Sequence, residues 1–334
     1  MAKVTIEDIS RQTGLSRGTV SRALNDRPDI SSQTKQRVLD ACRKLNYIPS
    51  HAARTLATGR NFACVTLLDN LSTPLNLAFL HGVVHHAEAT HQVVYPLELE
   101  ADPGAAADRL NRFSADRIDT ILVACPLALE VTAALRTAVG ARPVVSCYPL
   151  EDLACDVIAP DYAESGRLVA RRLLREGSRS ILYVHRNRFL GASERRAGFE
   201  AIVHEHGVDV SRAVLAVDAH VSASALVEAL RGRLEGLSGI GASDDALALS
   251  VMLACRQLGF APGVDIAVMG QGNDALAAEV APALTTVDYS GAEIGQRAIE
   301  TATQRLTKAR ADAFQSVQVA PQLIERDSTR AVRT

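Results

Sequence analysis

Between residues 5 and 45 apolar positions recur at helical spacing in three short runs: Ile6 and Ile9, then Val20 and Leu24, then Val38, Leu39, Cys42 and Leu45. Polar punctuation separates them. Thr5 opens the first run, its hydroxyl placed to cap a backbone N–H three residues on, and Asp8 puts negative charge into the first turn. Gly14 supplies a left-handed residue to end that helix, Leu15 fills the gap behind it, and Ser16 and Ser31 cap the next two helices. The pattern predicts a helix-turn-helix closed by a third helix, a module of roughly fifty residues that is too small to be very stable alone.

A different pattern runs from Phe62 onward, where short apolar runs alternate with amphipathic stretches. Strands are predicted over Phe62 to Leu68, Ile118 to Ala124, Pro143 to Cys147, Ser180 to Val184, Ala213 to Val217, Gly239 to Ala242 and Ile266 to Met269. Helices are predicted over Asp161 to Arg175, Ser193 to His206, Ser222 to Leu234 and Asp244 to Leu258. Such alternation implies parallel sheets covered on both faces, and more than two hundred residues of it imply two α/β lobes. Between the two patterns Pro49 breaks the third helix, Ser50 can cap another and Gly59 ends it after about two turns, too short a helix to hold unsupported. The expected organisation is a helix-turn-helix domain over 1–49, a hinge over 50–60 and a two-lobed body over 61–334.

Charge sharpens this division. The net charge is −2, but residues 1–60 hold 11 Lys and Arg against 5 Asp and Glu, leaving 25 against 33 in the remainder. A basic head on an acidic body suits phosphate attraction confined to the head. The outer face of the second helix shows Arg17, Gly18, Ser21, Arg22 and Asn25, donors with almost no apolar bulk. A recognition helix entering the major groove by its N-terminal end would use arginine to read guanine, with Arg22 the first choice and Arg17 beside it. Gly18 costs a helix about 1 kcal/mol relative to alanine, which points to a surface that a side chain would obstruct.

Residues 4–60 resemble the DNA-binding head and hinge of the lactose and galactose repressor family. The likeness rests on V-T-I-E-D-I, G-L-S-x-x-T-V-S-R-A-L-N, T-K-Q-R-V, L-N-Y-I-P and A-R-T-L-A. It implies that Arg17, Gly18 and Arg22 face bases, and that Thr5, Ser16, Thr19, Ser21, Asn25, Ser31, Thr34 and Tyr47 approach the backbone. It further implies that paired hinge helices of a homodimer drive Leu56 into the minor groove, with Ala53 packed beside it, unstacking a base step and bending a double-stranded operator. The body resembles, more loosely, the effector domain related to periplasmic sugar-binding proteins, through E-R-R-A-G-F, A-S-D-D-A-L-A and P-A-L-T-T-V. By this analogy the lobes are joined by crossings near Pro160, Asp288 and Pro321.

The resemblance assigns Arg195 to a small-molecule effector, since a guanidinium fork at a lobe interface binds hydroxyl pairs or carboxylates. Sugar-binding relatives usually carry an aspartate where Gly272 stands here, with Gln271 and Asn273 beside it. Losing a carboxylate next to a retained arginine predicts an acidic effector, a sugar acid or another small carboxylate. His220, aligned with a pocket-wall aromatic position, would favour an anion too. Asp244, Asn70 and Thr73 are further cleft candidates at strand ends, although Asp244 could equally cap a helix, and Ser243 replaces an asparagine common in the family.

Enzyme chemistry finds little purchase in the chain. Gly239-Ile-Gly241 and Gly270-Gln-Gly272 lack a third glycine, no phosphate loop or nucleophile elbow occurs, and the histidines at 81, 85, 86 and 91 have no thiolate beside them. Six scattered cysteines without a C-x-x-C pair read as reduced core residues, and no leader or spanning segment is evident, so a cytoplasmic location off the membrane is expected. The expectation is therefore a cofactor-free, non-enzymatic transcriptional regulator, most simply a metabolite-responsive repressor acting as a homodimer, since the C-terminal end lacks a leucine heptad. Activation instead of repression, or a small-molecule binding protein without operator function, are the alternatives.

Overall fold

The computed structural model describes residues 4–24, 27, 29–47, 55, 59–112, 117–174, 180–186, 191–218, 220–307 and 313–330. The chain forms two compact units, Met1–Phe62 and Ala63–Thr334. In the first, helices α1 (Ile6–Thr13), α2 (Arg17–Leu24) and α3 (Ser32–Lys44) surround Ile9, Val20, Ala23, Val38, Ala41 and Cys42. The Asp8 carboxylate accepts the Thr5 N–H at 2.9 Å and the Thr5 hydroxyl at 2.8 Å, closing a capping box. Gly14 ends α1 at φ 67°, the Ser16 hydroxyl accepts the Thr19 N–H, and the Ser31 hydroxyl accepts the Thr34 N–H. Leu39 departs from its expected inner position and is 37% exposed. One residue along a helix rotates a side chain by about 100°, and the buried stripe runs through Val38, Ala41 and Cys42 instead. The hinge expected over 50–60, with Ala53 and Leu56, lies almost wholly outside the described residues, as does Asn25.

The second unit carries two parallel sheets. One contains β1 (Ala63–Leu68), β2 (Val93–Glu98), β3 (Thr120–Val123), β4 (Val144–Ser146), β5 (Asp156–Pro160) and the late strand Ser316–Val319, in the order late strand, β5, β4, β3, β1, β2. The other contains β6 (Ile181–Arg186), β7 (Val214–Val217), β8 (Gly239–Ala242) and β9 (Ala267–Met269), in the order β7, β6, β8, β9. A short antiparallel pair, β10 (Thr286–Asp288) with Gln322–Ile324, runs beside the end of β9, where the Gly270 and Gly272 N–H groups donate to the Thr285 and Val287 carbonyls; the late strands are β11 and β12 in chain order. Helices α4 (Pro74–Ala89), α5 (Pro103–Asn111) and α6 (Leu129–Val139) follow strands of the first sheet. Helices α7 (Tyr162–Leu173), α8 (Ala192–Glu205), α9 (Ala223–Leu230) and α10 (Asp245–Gln257) serve the second, and α11 (Gly291–Thr307) returns to pack on α4. The chain thus passes between lobes at 160–162, 288–291 and 319–322, close to the positions expected by analogy.

The inner strands β1, β3, β4, β6 and β8 are buried on both faces, which is why they read as apolar runs. Cys64, Leu68, Leu122 and Val145 face α4 and α11, whereas Val65, Leu67, Ile121 and Val123 face the other way. All six cysteines are buried free thiols. At the start of β5 the buried Asp156 carboxylate receives two bonds from Arg305, at 2.8 and 2.7 Å, tying the end of α11 to the first sheet.

Helices α7 and α8 meet through reciprocal glycines. A Cβ on Gly166 would collide with the Arg195 carbonyl, and one on Gly198 with the Ala163 carbonyl. Gly166→Ala should therefore force the helices apart, cost about 1–3 kcal/mol, and lower the urea midpoint of the body. An unchanged midpoint would show that the pair can separate freely.

Candidate DNA-binding surface and effector cavity

On the head, Thr5, Ser16, Arg17, Gly18, Arg22 and Ser31 are exposed, and Thr19, Ser21, Thr34 and Tyr47 are half-buried. Several of these also serve the fold: Ser16 and Ser31 are caps, and Tyr47 packs on the head core. Among the described residues a Cβ on Gly18 would meet only the Ser16 Oγ, at 3.8 Å, so none of them requires glycine there. Arg17 lies 3.5 Å from Glu7, and Arg22 donates to Asp29 at 3.3 Å.

In the body a cavity of about 530 Å³ opens between the lobes. Its walls come from just beyond the C-terminal ends of strands: Asp69 after β1, Ala124 and Pro126 after β3, Tyr148 after β4, Arg186 closing β6, Asp244 after β8 and Gln271 after β9. This is where open parallel sheets hold ligands, because strand ends deliver backbone and side-chain groups to one crevice. Among the expected effector residues Thr73, Arg195, Asp244, Gln271 and Gly272 line it.

Asn70 and His220 are not among the lining residues. The Asn70 side chain accepts the Ser72 N–H at 2.8 Å and hydroxyl at 2.6 Å, so its carbonyl oxygen shapes the turn leading into α4. His220 is an exposed residue after β7, the edge strand of its sheet, one strand removed from the cavity wall that β6 and β8 supply. Asp244 lines the cavity and also caps a helix. It caps α10 by accepting the Leu247 N–H at 2.8 Å and pairs with Arg186 at 2.9 Å inside the cavity, while the Ser243 hydroxyl steadies its other oxygen.

Arg195 forms the floor. It is 1% exposed, donates to the Tyr289 hydroxyl at 2.8 Å, and has its guanidinium carbon 5.1 Å from the ring centre of Tyr162 and 5.8 Å from that of Tyr289. The two rings meet edge to face at 5.4 Å, and the Tyr162 hydroxyl lies 3.4 Å from that of Tyr148. Burial holds the Tyr148, Tyr162 and Tyr289 hydroxyls above the ordinary phenol range, so they remain protonated donors. Beneath them Gln271 donates to the Tyr183 hydroxyl at 2.9 Å and to the Ala242 carbonyl at 3.1 Å. The aromatic surroundings offer the cation face contacts without neutralising it.

Sequence reasoning missed the tyrosines, Arg186, Asp69 and Asp245. A signal existed for Tyr148, one residue past an expected strand, and for Tyr162 and Tyr289, each beside an expected crossing. The carboxylate balance also differs from expectation. Gly272 adopts φ +125°, a conformation side chains rarely take, and a Cβ there would face Asp245 Oδ2 at 3.7 Å. The aspartate absent at 272 is thus offset by Asp69, Asp244, Asp245 and Asp274 in the same lining, against Arg186 and Arg195.

Residues 5–50 match the family model described as bacterial regulatory proteins, lacI family, and residues 170–329 match that of a periplasmic binding protein-like domain. The chain is 25% identical to the HTH-type transcriptional repressor PurR of Mannheimia succiniciproducens, over 98% of this chain and 99% of that one. It is 24% identical to the HTH-type transcriptional regulator DegA of Bacillus subtilis, over 99% and 100%. Its fold is similar to that of the Lac repressor dimer bound to operator and the anti-inducer ONPF, with TM-score 0.73 and 21% identity over 98% of this chain and 99% of that one.

Asp245 sits at the junction of the second lobe and the cavity. It is 3% exposed and accepts the Thr286 hydroxyl at 2.6 Å and the Asp274 N–H at 2.7 Å. Burial pushes its pKa from 3.8 to about 6, the two hydrogen bonds pull against that, and the nearby Asp274 and Asp244 charges add to it. A raised folded-state value means that folding favours the protonated form. The stabilisation is present below about pH 4 and lost as pH rises through about 6. Comparing Asp245→Asn with the parent by urea titration from pH 4 to pH 7, the stability difference should move toward the variant by up to about 3 kcal/mol. A difference independent of pH would mean that the group is not held as described.

Proposed function

We propose that this chain, which belongs to the lacI family of bacterial regulatory proteins, binds a palindromic operator as a homodimer and represses until a small-molecule effector enters the cavity between its lobes. The head supplies the reading surface, with Arg22 and Arg17 at base edges and the exposed hydroxyls of Thr5, Ser16 and Ser31 at phosphates. One head makes too few contacts to select a genomic site, and pairing doubles them. Exposed apolar side chains support such pairing: Leu77 and Val84 on α4 and Val93 and Tyr95 on the edge strand β2. The name of the similar Lac repressor structure, a dimer on its operator, supports it as well.

The observation that carries the effector reading is the contact set of Arg195. It projects from α8 of the second lobe onto Tyr289 at one crossing and Tyr162 at another, and Tyr162 reaches Tyr148 of the first lobe. A ligand seated there touches both lobes and two crossings, so its binding energy depends on how the lobes are set and can shift their balance. Chain continuity carries that shift onward, because β1 of the first lobe directly follows the hinge segment. The mixed lining supports a small polyhydroxylated effector, whose hydroxyls donate to Asp69 and Asp274 and accept from Arg195 and the tyrosine hydroxyls; four aspartates against two arginines, one of them paired with Asp244, count against the acidic effector expected from the sequence.

Sequencing of genomic fragments retained by the purified protein at physiological salt should enrich a short palindrome, and uniform retention would count against operator function. Arg195→Gln should leave retention of that palindrome unchanged while weakening the effector by about 10- to 100-fold, the loss of one charge-assisted contact. A variant that still responds at the parent's effector concentration would remove Arg195 from the pocket.

A further inference from the structure

Both arginines on the outer face of α2 carry a carboxylate partner from outside that helix. Arg17 Nη1 lies 3.5 Å from Glu7 Oε1 on α1, and Arg22 Nη1 lies 3.3 Å from Asp29 Oδ2, in the segment before α3. All four side chains are more than half exposed. Other residues make the side-chain hydrogen bonds at both helix ends, although Glu7 adds favourable charge to the first turn of α1. The Thr5 N–H is taken by Asp8, and the cap of α3 is Ser31, whose hydroxyl accepts the Thr34 N–H. Two negative charges on a surface whose partner is a polyanion oppose binding unless they act on something else there.

We propose that Glu7 and Asp29 are specificity-setting residues of the DNA-binding surface, holding Arg17 and Arg22 so that a guanine edge satisfies them better than a phosphate does. The inference rests on the reading that these two arginines face bases. A guanidinium has five N–H donors, so one edge can stay on the carboxylate while the other makes two bonds to guanine O6 and N7. The carboxylate then fixes the plane of the fork. On an unrelated sequence the arginine must leave its partner to reach a phosphate, and the freed carboxylate is left facing the phosphate backbone. Exposed ion pairs are weak, so the arginines are oriented without being locked. The acids thus penalise nonspecific contact more than specific contact.

The test uses the full chain, its Glu7→Gln and Asp29→Asn variants, and two fluorescent duplexes: the one recovered by selection from a random pool with the parent, and a scramble of the same composition. Both substitutions keep side-chain shape, and unchanged thermal melting separates the effect from misfolding. Each variant should bind the scramble up to about fivefold tighter, the ceiling for an exposed pair, with less than a twofold change on the selected duplex. The salt slope on the scramble should steepen by up to about 0.9 for each phosphate newly contacted. Equal gains on both duplexes, or none on either, would overturn the proposal. Arg17→Ala and Arg22→Ala run alongside: if neither relaxes the selected consensus, the fault lies in the assignment of the base-reading arginines.

Discussion

A guanidinium placed in a protein interior must find acceptors or π faces, because its desolvation otherwise outweighs anything packing returns. Arg195 meets that demand with the Tyr289 hydroxyl and the faces of Tyr162 and Tyr289, groups that sit where the chain passes between lobes. The cation therefore ties the position of α8 to two crossings. The reciprocal glycines of α7 and α8 serve the same end, since only backbone-to-backbone approach brings the Arg195 segment against α7. One buried charge thus joins the wall of the cavity to the packing of α7 against α8.

Around that charge the carboxylates are graded by environment. Asp244 is paired with Arg186 and caps α10, Asp245 is buried on a hydroxyl and an N–H with its pKa raised, and Asp69 is exposed with Asn76 donating to it at 2.8 Å. A lining so composed discriminates by where donors and acceptors fall along a ligand. The head relies on a weaker economy of forces. Its described core gathers around Ile9, Val20 and Val38, its helix ends are held by short-range caps, and its charges stay in solvent where salt and DNA can compete for them.

Much of the fold was legible in the residues because local chemistry decided it. Gly14, Ser16 and Ser31 act within four residues of themselves, and the strands buried on both faces, such as β1, β3 and β8, are unbroken apolar runs. Strands outside that rule escaped notice. β2 is a largely exposed edge strand containing Pro96, β5 begins with a buried aspartate whose partner Arg305 is distant in sequence, and β10 pairs with a segment near the C-terminus.

The site divides along the same line. The amino-acid order by itself determined a helix-turn-helix head, an α/β body of two lobes and the presence of Arg195, Asp244 and Gln271 near strand or helix ends. Only the tertiary structure decided which groups meet them. Tyr148, Tyr162 and Tyr289 come from three separate segments, and Asn70 and His220 turn to other positions. Helical and strand periodicity act over a few residues and leave a trace in composition. Contact between groups a hundred residues apart is set by how lobes close on each other, for which no local pattern exists.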